Sequence, residues 1–218
     1  MIKAVLFDLD GTIINSEEGI TKCVQYALSS FGIEEPDRKK LLCFIGPPLD
    51  PVFREKYGFD ADKAWQAVLK YRERFDKTGI FECELYEGVA DTIRKLKEAG
   101  CVIALASSKP ETACRRILEH FSLTPYFDEI VGSTLDGSIS TKQQVLEELG
   151  RRMEHMQITK DEMCLIGDTE YDEIGANQFG IRCVGVSYGF GKREQLERAG
   201  AYCVCDNMAE VVEALQQM

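Results

Sequence analysis

The chain has 218 residues, 44% hydrophobic and 29% charged, with a formal net charge of −11. That composition suits one large folded domain or a core carrying an insertion, and it excludes disordered and collagen-like classes. The acidic balance argues against a nucleic-acid backbone as partner, which needs a basic stripe, and no apolar run reaches the length of a membrane span.

The chain opens with the apolar run Ile2–Phe7, which ends in Asp8-Leu9-Asp10-Gly11-Thr12. Ala4–Phe7 reads as a buried strand. Side chains two apart on a strand share a face, so Asp8 and Asp10 sit close together with like charges. Such a pair is costly unless a cation or a proton compensates it. The interruption at Asp8 also comes too early for a signal-peptide core, which points to a soluble cytoplasmic protein.

From Asn15 to about Cys83 no strand pattern is evident. Amphipathic stretches at Glu17–Phe31, Pro36–Cys43, Pro51–Tyr57 and Ala61–Lys77 predict a helical insertion, residues 15–83, with hinges near Ile14–Glu17 and Ile80–Glu84. Asn15 with Glu18 resembles a capping box for the first helix. Trp65, Tyr71 and Phe75 fall at helical spacing, as the core of that insertion requires.

The remainder alternates. Short apolar runs at Val102–Ala106, Glu129–Val131, Met163–Ile166, Cys183–Val186 and Tyr202–Val204 predict strands. Val89–Ala99, Glu111–His120, Lys142–Arg152, Tyr171–Phe179, Arg193–Ala199 and Met208–Gln216 predict helices. Several of these helices stop at glycine, which suits a left-handed cap. Strands alternating with helices argue an α/β fold with a Rossmann-like parallel sheet, residues 1–14 and 84–218.

The nine cysteines are scattered without a Cys-x-x-Cys pair. Several, such as Cys101, Cys164 and Cys183, lie in apolar runs and read as buried reduced thiols. His120 and His155 lie in polar, helix-like stretches and suggest neither a triad nor a metal cluster. The segment Tyr188-Gly189-Phe190-Gly191-Lys192 fails the phosphate-loop spacing and reads as an ordinary turn before a helix.

In open α/β sheets, ligands bind beyond the carboxyl ends of the strands. There the sequence places Asp8, Asp10 and Thr12, then Ser107, Ser108 and Lys109, then Asp168 and Asp172. Lys142 opens the helix after Ser138–Thr141. Several carboxylates in one cleft form an oxygen-rich site suited to Mg²⁺. Lysine and hydroxyl donors fit phosphate oxygens. One carboxylate is then available to attack phosphorus, and a second to move protons. That set points to phosphoryl transfer.

"DLDGT", a Ser ending a strand, a Lys opening a helix and "GDTEYD" together resemble the haloacid dehalogenase superfamily. The insertion after the first motif resembles its C1-cap class. "FIGPPL", "LYEGV", "ASSKP", "VGSTLDGS" and "YGFG" resemble its phosphoglycolate-phosphatase-like and bacterial 5′-nucleotidase-like branch. The resemblance implies a core at residues 1–14 and 84–218 with a helical cap at 15–83. It implies Asp8 as the nucleophile that becomes phosphorylated and Asp10 as general acid and then general base. Ser107 and Lys142 would bind the phosphate, with Ser108, Lys109 and the Gly46 loop as further substrate contacts. Asp8, Asp168 and the Asp10 backbone carbonyl would hold Mg²⁺, with Asp172 supporting Asp168 or a metal-bound water. The implied enzyme is a monomeric Mg²⁺-dependent phosphatase acting on a small phosphorylated metabolite under a mobile lid. A phosphomutase of the β-phosphoglucomutase type, a phospho-receiver signalling module and a non-catalytic binding protein are the alternatives.

Overall fold

The computed structural model describes residues Met1–Met218. Its organising element is β1 (Ala4–Phe7), whose four residues are all buried. A strand covered on both faces must be apolar throughout, which explains an unbroken run where a one-faced strand would alternate. Two short strands follow in the chain, β2 (Ile14–Asn15) and β3 (Glu84–Leu85). The others are β4 (Val102–Pro110), β5 (Glu129–Ser133), β6 (Met163–Gly167), β7 (Arg182–Val186) and β8 (Cys203–Cys205).

Six strands form one sheet in the order β5-β4-β1-β6-β7-β8, with every pairing parallel. From β1 the chain builds outward first to β4 and β5, then returns to lay down β6, β7 and β8. The order therefore reverses at β1, and the crevice beyond its carboxyl end is the topological switch point where such sheets bind ligands.

The helices around the sheet are α4 (Val89–Glu98), α5 (Glu111–His120), α6 (Lys142–Met153), α7 (Glu170–Phe179) and α8 (Arg193–Ala199), each leading to the next strand, and the terminal α9 (Met208–Gln216), numbered after the three helices of the insertion. Leu6, Ala104, Val131 and Leu165 of the sheet join Val145, Leu146 and Leu149 of α6 and Ala176 and Phe179 of α7 in one buried cluster. Truncating one of those leucines to alanine costs about 2–5 kcal/mol.

The chain divides into two units, Met1–Asn15 with Leu85–Met218, and Ser16–Glu84. The second holds α1 (Glu17–Ser29), α2 (Leu49–Tyr57) and α3 (Ala61–Phe75). Its core gathers aromatic rings, with Phe44 and Phe53 tilted against each other at 4.7 Å between centroids and Tyr71 and Phe75 stacked at 5.4 Å. Arg74 ties α3 to the end of the unit through two bonds to Glu82, 2.7 and 3.0 Å long.

The structure corrects several local expectations. Residues 38–44 wind as a 3₁₀ helix rather than an α-helix. Helix α1 starts from Ser16, not Asn15, because Asn15 is drawn into β2, and Glu18 pairs with Lys22 at 2.5 Å instead of closing a box. Trp65 is 47% exposed and does not join the aromatic core that Tyr71 and Phe75 enter. Of the cysteines, Cys164 and Cys183 are buried, Cys101 is half-buried and Cys43 is exposed. Strand β4 runs on to Pro110, well past the apolar residues that announce it.

Candidate active site

Asp8 is the first residue beyond β1, and its N–H continues the ladder by donating to Ile166 O at 2.9 Å. The chain then turns sharply, with Gly11, Thr12, Ile13 and Ile14 hydrogen-bonded back across Leu9 and Gly11. Gly11 has φ of 87°, and a Cβ there would stand 1.9 Å from Asp168 Oδ2. No L-residue fits this position, which accounts for the glycine in Asp-Gly-Thr.

Asp168 is the first residue beyond β6 and is fully buried. Its Oδ2 accepts the Phe190 N–H at 2.8 Å, and the Thr12 hydroxyl donates to its Oδ1 at 3.4 Å. Asp172 lies in the first turn of α7, where its Oδ2 accepts from the Thr169 N–H at 3.0 Å and hydroxyl at 2.8 Å, a capping box. Lys142 stands at the first position of α6, just after Thr141, whose side chain caps that helix. The helix start so fixed carries the ammonium to Asp8 Oδ1 at 2.6 Å, Asp172 Oδ1 at 2.7 Å and the Ala106 carbonyl at 2.7 Å.

Ser107, Ser108 and Lys109 occupy a bulge. Ala106 pairs with Val131 and Pro110 with Ser133, so three residues of β4 oppose Gly132 alone. Bulges of this kind re-aim side chains beside functional clefts. Ser107 is buried, and its hydroxyl accepts the Lys109 N–H at 3.3 Å. The Lys109 ammonium lies 3.0 Å from Asp10 Oδ2. Ser108 is half-buried in the same segment. Gly46 belongs to the other unit, in a turn with φ of 101°.

Electrostatics follow from burial. Desolvation pushes the Asp8 carboxyl up to about 7, although Lys142 opposes it. Asp168 is held well above the usual carboxylate range, first by burial and then by Asp172 and Asp8. Burial works against the charged Lys142, but Asp172 and Asp8 outweigh it and hold the ammonium above its ordinary value. Four carboxylates (Asp8, Asp10, Asp168 and Asp172) thus face two ammonium groups.

That imbalance tests the fit of a divalent cation. Asp8, Asp168 and Asp172 bring one carboxylate oxygen each within 4.8 Å of the others, all buried. The formal excess is two negative charges, and the donors are all oxygen, as a hard dication requires. The residues fit Mg²⁺. Asp172 gives one oxygen to the Lys142 ammonium and the other to the Thr169 cap, whereas the Asp168 oxygens meet only an N–H and a hydroxyl and Asp8 meets Lys142 through Oδ1, so Asp8 and Asp168 are the carboxylates better placed as direct ligands.

One contributor was not apparent in the sequence. The turn at Tyr188–Gly191 is more than a helix lead-in. It supplies the Phe190 N–H to Asp168, while the Tyr188 hydroxyl donates to the Thr12 carbonyl at 2.9 Å. Gly189 lies so close that a Cβ would meet Asp168 Cβ at 2.4 Å. The available signal was two glycines flanking an aromatic just past a strand end.

Comparison with known proteins gives the family. Residues 5–186 match the family model described as haloacid dehalogenase-like hydrolase. A 5′-nucleotidase of Pseudomonas aeruginosa is 39% identical over 97% of this chain and 95% of its own length. The tyrosine-protein kinase PtkA of Mycobacterium tuberculosis is 30% identical over 92% of this chain and 67% of its own. The crystal structure of a predicted phosphatase from Clostridium acetobutylicum superimposes with a TM-score of 0.93 at 43% identity, covering all of both chains.

Proposed function

This chain belongs to the haloacid dehalogenase-like hydrolases and is a phosphoric monoester hydrolase, and from that premise we propose that it acts through a phosphoaspartate formed on Asp8. The observation that supports this most is the position of Asp8. It lies at the switch point of the sheet, buried, with the Lys142 ammonium at 2.6 Å.

In the first half-reaction an Asp8 carboxylate oxygen bonds to phosphorus as the bond to the leaving oxygen breaks. Asp10 delivers a proton to that oxygen. In the second, water attacks phosphorus, Asp10 takes its proton, and Asp8 is released with inorganic phosphate. Lys142 orients the Asp8 carboxylate and offsets the charge gathered around it. The Ser107 hydroxyl is available to a phosphate oxygen, with Ser108 beside it. Mg²⁺, held by Asp8, Asp168 and the Asp10 carbonyl, would supply positive charge against the phosphate oxygens. Asp172 acts at one remove, by holding Lys142 and the start of α7.

The substrates we propose are small phosphomonoesters, with nucleoside 5′-monophosphates ahead of phosphoglycolate because of the likeness to the Pseudomonas aeruginosa 5′-nucleotidase. Substrate choice is assigned to the helical unit, including its Gly46 turn. The test is a Mg²⁺-dependent phosphate-release screen over metabolite phosphates, ranked by kcat/KM. Release from a nucleoside monophosphate, abolished in Asp8→Asn with an unchanged circular dichroism spectrum, is the expected result. A fully active Asp8→Asn protein would overturn the mechanism. Isomerised sugar phosphate in place of free phosphate would replace hydrolysis with a mutase.

A further inference from the structure

A second buried ion pair stands beside the nucleophile. The side chains of Lys109 and Asp10 are only 8% and 10% exposed, and the ammonium lies 3.0 Å from Asp10 Oδ2. The other carboxylate oxygen, Oδ1, is buried and has no hydrogen-bond partner. Burial without a partner strips a polar atom of its solvation with nothing in return. An oxygen kept in that condition beside a reactive centre marks where a reacting group is meant to bind.

The chain around Lys109 is itself pinned. The bulge of β4 carries it past Ser107, whose hydroxyl accepts the Lys109 N–H. The Cys114 thiol donates to the Lys109 carbonyl at 3.5 Å. Across the bulge, β5 approaches so closely that a Cβ on Gly132 would meet that carbonyl at 2.5 Å. A lysine on so constrained a segment is placed rather than left to search.

We propose that Lys109 is a positioning residue for Asp10: by holding Oδ2 it fixes the carboxyl group and aims Oδ1 at the leaving-group oxygen and later at the attacking water. The ammonium occupies Oδ2, so Oδ1 is the oxygen left open to pass a proton. When the phosphorus–oxygen bond breaks, its electron pair stays on the departing oxygen, which takes the Oδ1 proton. In the second half-reaction the water's proton returns to Oδ1 as its oxygen bonds to phosphorus. The sequence suggests Lys109 as a substrate contact; the structure assigns its ammonium to Asp10. The inference rests on the proposed acid–base role of Asp10.

The experiment compares wild type, Lys109→Met and Lys109→Arg in pre-steady-state assays with Mg²⁺ and two esters. β-Glycerophosphate expels an alkoxide that needs a proton, whereas p-nitrophenyl phosphate expels a phenolate that does not. For Lys109→Met the first-turnover rate on the alkyl ester falls about 100-fold, the scale of a lost general acid. The nitrophenolate burst keeps its rate, and KM does not change. Lys109→Arg keeps most of the alkyl-ester rate. In an Asp10→Asn background, Lys109→Met costs nothing further. Equal losses on both esters, a raised KM with unchanged kcat, or additive losses with Asp10→Asn would each overturn the inference. Should Lys109→Met fail to fold, Lys109→Gln replaces it: a first-turnover rate that falls on the alkyl ester while the nitrophenolate burst is kept supports the role, and any result in which the two esters change equally or not at all refutes it. Wild-type protein that releases no phosphate from either ester or from a nucleoside 5′-monophosphate would instead overturn the proposed function beneath it.

Discussion

Lys142 is bound on three sides by oxygen, from Asp8, Asp172 and the Ala106 carbonyl, and none of the three charged side chains has more than a tenth of its surface exposed. Breaking a buried pair by removing one partner leaves an uncompensated charge, which costs about 3–5 kcal/mol. Lys142→Met is therefore expected to lose that much stability in urea titration of the metal-free protein, along with its phosphatase activity. A loss under 1 kcal/mol would show that the carboxylates are relieved elsewhere, with that threshold taken from exposed pairs, about 0–1 kcal/mol. Glu173 poses the opposite case. It is fully buried, no nitrogen or oxygen donor reaches its carboxyl, and burial pushes that group from 4.5 up to about 8 with only the Cys183 thiol opposing. Between those values the unfolded chain gives up its proton while the folded chain keeps it, so stability declines as pH rises from 4.5 to about 8. Glu173→Gln should gain stability relative to wild type at pH 8 and change little at pH 5, measured by thermal unfolding at both values. Equal effects at the two values would contradict the assignment. Among single residues, the sequence pointed to candidate groups at strand ends, Asp8, Asp10, Ser107 and Asp168, and to Lys142 at a helix start, and the structure sets Lys142 against Asp8. The sequence could not reveal that Lys109 faces Asp10, because that pairing depends on a bulge and on Gly132 in the neighbouring strand.

At the scale of elements, the strands and helices around the sheet are legible because each is driven by its own periodic burial. β1, α5, α8 and α9 begin and end where their apolar pattern and caps say they should. What lies outside that logic was missed for identifiable reasons. Strand β4 extends past its apolar run because pairing resumes at Pro110 and Ser133 after the bulge. The 3₁₀ segment at 38–44 has too short a pattern to separate it from an α-helix. The Tyr188–Gly191 turn acts through a backbone N–H, which leaves no side-chain signature. That turn carries a prediction. A Cβ on Gly189 would displace Asp168 or the Gly11 carbonyl, which stands 2.5 Å away. Groups that orient a metal ligand are typically worth about 10–100-fold in metal affinity. Gly189→Ala should raise the Mg²⁺ concentration for half-maximal activity by about that factor, with kcat at saturating Mg²⁺ much less affected. An unchanged Mg²⁺ requirement would separate the turn from the metal.

At the scale of the whole molecule, an acidic chain of net charge −11 concentrates four carboxylates in one cleft and answers them with two lysines. Such a protein meets an anionic substrate only if the local sign is reversed, and a bound dication does that. No helix is long and apolar enough to cross a membrane. Binding that favours the folded state stabilises it by mass action, by about 2.7 kcal/mol at a hundredfold excess over Kd. Mg²⁺ should accordingly raise the Tm of chelator-treated protein, and Asp168→Asn should abolish most of the shift. A Tm indifferent to Mg²⁺ would contradict the metal assignment. The central claim, that Asp8 carries the phosphoryl group, is tested most directly by acid quenching during steady turnover and mass spectrometry of the peptide containing Asp8. The account predicts one phosphoryl group on that side chain, removed by hydroxylamine and absent from Asp8→Asn. An unmodified Asp8 while phosphate is still being released, or a phosphoryl group on any other residue, would contradict it.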